Sequence, residues 1–142
     1  LENILALENT QVTFQVHPRV TPEQEAYIHK KGIKVLRQDI ATLLPYCDLF
    51  VTSVSSIIRQ AIAASKVVLN YDVYRFGYKD YDRLSGVITV QEKMDFVSDL
   101  EKLVYDKTYF ADQCKSISIT SKDWGITDGL VSSRITHFFT HL

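Results

Sequence analysis

The sequence predicts an α/β domain built on a doubly wound, mostly parallel sheet with helices on both faces. Three observations predict it. Short β-branched apolar runs alternate with helix-forming stretches over roughly a hundred residues. Most of these runs are continuously apolar, as in "KVVLNY", the pattern of strands covered on both sides. The stretch "VTSVSSIIRQAIAASKVVL", residues 51–69, reads as strand, polar turn, short helix and strand, the grammar of one βαβ unit.

Size and composition bound the rest. A chain of 142 residues suffices for one domain with its own core, spanning 1–142, and is short for two. With 46% hydrophobic and 23% charged residues it is ordinary for a globular protein. A net charge of −1 gives no general attraction to nucleic acid or anionic membrane, so nucleic acid is not an expected partner. The two cysteines, Cys47 and Cys114, form no CxxC and no Cys/His cluster, which argues against zinc and for a reducing compartment. No signal peptide is evident, and no apolar run approaches the ~18 residues of a membrane span. A cytoplasmic location is expected. The opening "LENILALENT" has no initiator Met and is already in helical periodicity through Leu1, Ile4, Leu5 and Leu7, so a piece of a longer protein is expected.

Taken in order, "VTFQVHP" alternates and stops at Pro18, a strand. "TPEQEAYIHKKG" carries Thr21 as N-cap, Pro22 at the first helical position, acids in the first turn, Lys in the last and Gly32 as terminator. "IKVL" is the next strand, and Asp39 caps the short helix "IATLLPYC". "DLFVT" is a strand, 56–65 a helix, "KVVLNY" a strand. The aromatic-rich loop "YDVYRFGYKDYDRLSG" leads to the strand "VITV". "QEKMDFVSDLEKLVYD" is an amphipathic helix with Met94, Val97, Leu100 and Val104 on its apolar side. A helix through "TYFADQCKSI" follows, then a closing helix after Asp128 that runs to the C-terminus.

Ligands of open α/β sheets bind beyond the carboxyl ends of the strands. The most polar strand ends are His17-Pro18-Arg19 and the segment from Thr52 to Ser56, and both are expected on that edge. Ser53, Ser55 and Ser56 stand at the mouth of a helix. They cap it, or with its unpaired N–H groups they hold an anion. His17 is a candidate donor to a phosphate or a general acid or base. Arg19 is a surface arginine or adds charge to the same anion. Gln60, one turn past Ser56, is solvated or faces a ligand at the helix mouth. The loop aromatics either close the sheet edge as core or stack on a base or sugar. His29, His137 and His141 fall on expected helices and are assigned no chemistry. No GxGxxG, GxxxxGK[ST] or GxSxG occurs, so the nicotinamide, Walker and hydrolase signatures are missing. The signals together favour an anionic ligand, a nucleotide diphosphate above all.

The motifs "VHPR", "LLPYCDLFVTSVSS", "KVVLNYD", "GYKDYDRLSGVIT" and "TDGLVSSRI", in that order, resemble the C-terminal, Rossmann-like half of GT-B transferases. The likeness is strongest to the CDP-glycerol glycerophosphotransferase and capsule-polymer glycosyltransferase family, which builds teichoic acids, capsules and other surface polysaccharides. It is more distant to the UDP-N-acetylglucosamine 2-epimerase fold. The resemblance implies a metal-independent enzyme with no cofactor beyond a CDP- or UDP-linked donor. It places His17 at the donor phosphate as the catalytic residue, and Ser55 and Ser56 at the diphosphate. Gln60 would stand near the donor ribose. Ser132, Ser133 and Arg134 match the final motif, with Arg134 on phosphate. The acceptor would sit on an N-terminal domain that is missing here, and this fragment alone would be inactive. The full-length protein would work at the inner face of the membrane, where peripheral association fits the family.

This sequence departs from the family pattern at Ser53 and Gln60, both acids there, and at Ser85-Gly86, there Pro-Gly. An amide cannot take a proton as a carboxylate can. Two alternatives therefore stay open: a UDP-sugar 2-epimerase-like enzyme, and a degenerate, non-catalytic nucleotide-binding or assembly domain.

Overall fold

The structure, a computed structural model, describes residues 2–17, 19–81 and 83–140. Leu1, Pro18, Asp82, His141 and Leu142 were read above as part of a helix, a strand end, a loop and the closing helix; they lie outside the described residues. The chain is α/β, with two parallel sheets and their helices in a Rossmann-like arrangement. It divides into two compact units, Leu1–Pro45 and Tyr46–Leu142.

In the first unit α1 (Glu2–Leu5) precedes β1 (Thr13–Gln15), which pairs in parallel with β2 (Lys34–Leu36). The connection between the strands is α2 (Pro22–Lys30). Its start is a reciprocal capping box: Gln24 N–H donates to Thr21 Oγ1, and Thr21 N–H donates to Gln24 Oε1. Its end is Gly32, whose φ of +73° is a left-handed turn that costs glycine little. Val16, Ile28 and Ile33 form the core, with Phe14, Val20 and Val35 packed on it. The Asp39 carboxylate accepts from Ala41 N–H and starts α3 (Ile40–Leu43), which tightens into a 3₁₀ turn at Leu44–Tyr46.

The second unit holds β3 (Leu49–Thr52), β4 (Val67–Tyr71) and β5 (Val87–Val90), all parallel with β4 central. Successive residues of a strand face opposite sides, and Val67, Val68 and Leu69 are all at most 1% exposed, so β4 is covered on both faces. The cover comes from α4 (Ile58–Ala63), α5 (Lys93–Tyr105) and α6 (Lys107–Thr120), which bury Ile58, Ile62, Leu100, Leu103 and Ile117. The chain closes with α7 (Val131–Thr140), on which no residue is buried.

Two elements differ from their expected form. The buried positions of α5 are Phe96, Leu100 and Leu103, while Met94 is largely exposed and Val97 and Val104 only flank the stripe. Phe96 sets this register by stacking on Tyr71, with centroids 4.9 Å apart. The helix expected over 56–65 is Ile58–Ala63, because the residues before it form tight turns.

Gly86, just before β5, lies against α6. A Cβ there would stand 2.4 Å from Ile117 Cβ, and its φ of +87° already disfavours other residues. Gly86→Ala should cost about 2–4 kcal/mol in urea unfolding, the sum of overpacking and a left-handed alanine. Gly77→Ala, with φ +61° and no atom within 4 Å of the added Cβ, should cost only about 1 kcal/mol. Equal losses at the two sites would remove the packing argument.

Candidate functional site

The strand register sorts the larger sheet into layers. On one face Phe50, Val68 and Val87 lie side by side; one step toward the carboxyl ends come Thr52, Asn70 and Thr89. That face therefore changes from apolar to polar at the edge where ligands of parallel sheets bind. Asn70 is 5% exposed, so its amide must find partners within the protein. Its Oδ1 accepts from Val54 N–H at 2.9 Å, and its Nδ2 donates to Thr89 Oγ1 at a longer 3.4 Å. The central strand thus fixes the ends of both neighbours.

Val54 has φ +46°, unusual for a β-branched residue and a local strain of about 1–2 kcal/mol. The bond from Asn70 holds it. Beyond Val54, Ser55 Oγ accepts from Ile57 N–H at 3.2 Å, and Ser55 C=O accepts from Ile58 N–H at 3.1 Å. Ser56 C=O accepts from Arg59 N–H at 3.3 Å. Ser55 is half-buried and turns the chain into α4, whereas Ser53, Ser56 and Gln60 are exposed. A helix of six residues supplies a weak dipole, so any anion there depends on the turn itself.

The next polar residue of β4's end is Asp72, 2% exposed. Its carboxylate accepts from Phe76 N–H at 3.0 Å, Gly77 N–H at 2.9 Å and Gln91 Nε2 at 3.1 Å. The Gly77 N–H above all, with those of Phe76 and Gln91, holds its carboxyl below the usual range against the desolvation that would raise it. Asp72, Tyr78, Thr89, Gln91, Glu92 and Asp95 line an open cleft of about 450 Å³ beside β5. Asn70, Asp72 and Gln91 were not singled out in the sequence. The signal was present in "VVLNYD", where two polar residues end an otherwise apolar strand.

The other candidates have partners of their own. His17 and Arg19 are exposed and belong to the first unit, whereas the serine turn belongs to the second. His17 Nδ1 accepts from Arg19 N–H at 3.1 Å, which leaves the proton of the neutral ring on Nε2. Ser132, Ser133 and Arg134 lie in the first turns of α7. Arg134 Nη1 donates to both oxygens of Asp128, at 3.0 and 2.7 Å, and the same carboxylate accepts from Leu130 N–H. Arg134 and the Leu130 N–H hold the Asp128 carboxyl below its usual range. Burial pushes the thiols of Cys47 and Cys114 up, so both are protonated and poorly nucleophilic at neutral pH. Among the described residues no group of three or more His, Cys, Asp or Glu could hold a metal ion, and no helix is long and apolar enough to cross a membrane. No family model, no curated protein and no solved structure matches the chain.

Asp72 gives the site a pH dependence. Its folded pKa lies below the unfolded value, about 4, so its stabilisation is complete above that value and lost as pH falls through the folded pKa. Urea midpoints should therefore drop below about pH 4 in the wild type. Asp72→Asn should lower the midpoint at pH 7 and flatten that acid limb; an unchanged limb would take Asp72 out of the account.

Proposed function

We propose that this chain is the donor-binding domain of a nucleotide-dependent glycosyl- or glycerophospho-transferase that builds a cell-surface polymer. The observation that carries the reading is the strained turn at the carboxyl end of β3, held open by a buried amide from β4. Strain of this kind at a sheet's ligand-binding edge is characteristic of ligand clamps. The resemblance of five motifs to those of GT-B transferases supplies the ligand class. In this reading Ser53 and Ser56 offer hydroxyls to the diphosphate, Gln60 hydrogen-bonds the ribose, and Ser55 shapes the turn. His17, with Nε2–H as donor, and Arg19 are the first unit's candidate phosphate ligands, and the leaving group would be stabilised electrostatically. Ser132, Ser133 and Arg134 would join only if Arg134 exchanged its carboxylate partner for phosphate.

One rival has observations in its favour. His17, Ser55 and Arg134 each already have an intramolecular partner, which suits a degenerate domain that keeps the fold without a nucleotide. Ligand-observed NMR of the chain with CDP, UDP, CMP and GDP separates the two. The proposal expects one diphosphate to bind selectively and to be lost in Ser56→Trp. Binding to none would favour the rival.

A further inference from the structure

The loop after β4 was read either as core or as a stacking surface, and burial divides its aromatics: Tyr81 is core, at 8% exposed. Tyr74, Phe76 and Tyr78 are 71%, 60% and 56% exposed. They are not core. The three rings follow one another, with centroids 5.7 Å and 5.8 Å apart and planes tilted by 47° and 39°. Between them Arg75 and Gly77 take φ of +53° and +61°, which brings alternate side chains together. Asp72 anchors the loop by accepting from the N–H groups of Phe76 and Gly77, so the ladder is preorganised rather than a loose tip. An exposed, ordered aromatic row of this kind marks an interaction surface.

The neighbouring chemistry selects the partner. Tyr78 ends the ladder and also lines the cleft, whose polar walls are Asp72, Thr89, Gln91, Glu92 and Asp95. Residues 71–81 carry Asp72, Arg75, Lys79 and Asp80, two charges of each sign. Arg75 is paired with Glu92 and Arg59 with Asp80. With the cleft's acids included, the surface has no surplus positive charge to hold a phosphate backbone or an anionic lipid. It offers aromatic faces beside a wall rich in hydrogen-bond acceptors. A pyranose matches both demands: its C–H face lies on an aromatic ring, while its hydroxyls donate to carboxylate and amide oxygens.

We infer that the Tyr74–Phe76–Tyr78 ladder and the cleft beside it form a binding site for a neutral oligosaccharide chain. The site is separate from the serine turn and goes beyond the proposed donor site. Successive sugars stack along the rings, and the terminal sugar reaches the cleft at Tyr78.

Saturation-transfer NMR on the full chain tests this, with maltohexaose, cellohexaose, mannohexaose and chitohexaose as probes and with poly(U) RNA and phosphatidylglycerol vesicles as contrasts. At least one glycan should bind through its ring protons, with little dependence on salt. Phe76→Ala should weaken it by about tenfold, and Phe76→Trp, which keeps a ring, should restore it. Circular dichroism should be unchanged in both variants. The inference is overturned if no glycan binds, if Phe76→Ala binds as the wild type does, or if only RNA or vesicles bind through Phe76. CDP and UDP are read on the same sample. A chain that binds a nucleotide but no glycan loses this site and keeps the proposed function, and the converse holds too.

Discussion

A single buried amide organises the carboxyl edge of the larger sheet. Asn70 sits in the strand that is covered on both faces, so it has no water to turn to. An unpaired amide there would cost about 1–3 kcal/mol for each orphaned group. Its bonds to Val54 and Thr89 meet that demand, and in doing so they hold a β-branched residue in the left-handed region. Burial of the central strand thus becomes a geometric constraint on the turn that follows its neighbour. The exposed hydroxyls of Ser53 and Ser56 are placed by that constraint, not by the short helix behind them.

The same strand end carries a second constraint of the same kind. Asp72, two residues beyond Asn70, is buried and ionised, and it is satisfied by backbone N–H groups of the loop it begins. A buried carboxylate needs several donors, and the loop supplies them only by curling around it. The curl sets Tyr74, Phe76 and Tyr78 in a row. Two polar residues at the end of one apolar strand therefore template two surfaces, a serine turn and an aromatic ladder. Each is held from within by a group that is itself hidden.

Legibility in the sequence follows the range of the interactions. The ends of α2 were readable because Thr21, Pro22 and Gly32 act on residues within one turn. β4 was readable because burial on both sides leaves a continuous apolar run, and β1 because its residues alternate. The register of α5 was misread. Its apolar residues admit two stripes, and the contact of Phe96 with Tyr71, twenty-five positions away, chooses between them. The start of α4 was placed early because Ser55 looks like a helix cap, yet its hydroxyl and carbonyl are spent on the two turns before Ile58. The pairing of Arg134 with Asp128 was not read, although the two stand only six positions apart. Asn70 could be noticed but not interpreted. Its partners come from β5 and from the turn after β3, and only the parallel register brings Thr52, Asn70 and Thr89 into one row.

The claim that most else depends on is that Asn70 holds Val54, and amide hydrogen exchange at Val54 tests it directly. If the account is right, the Val54 amide is protected nearly as well as the amides of β4, and Asn70→Ala reduces its protection while β4 stays protected. A Val54 amide that exchanges as fast as an exposed loop in the wild type would contradict the account.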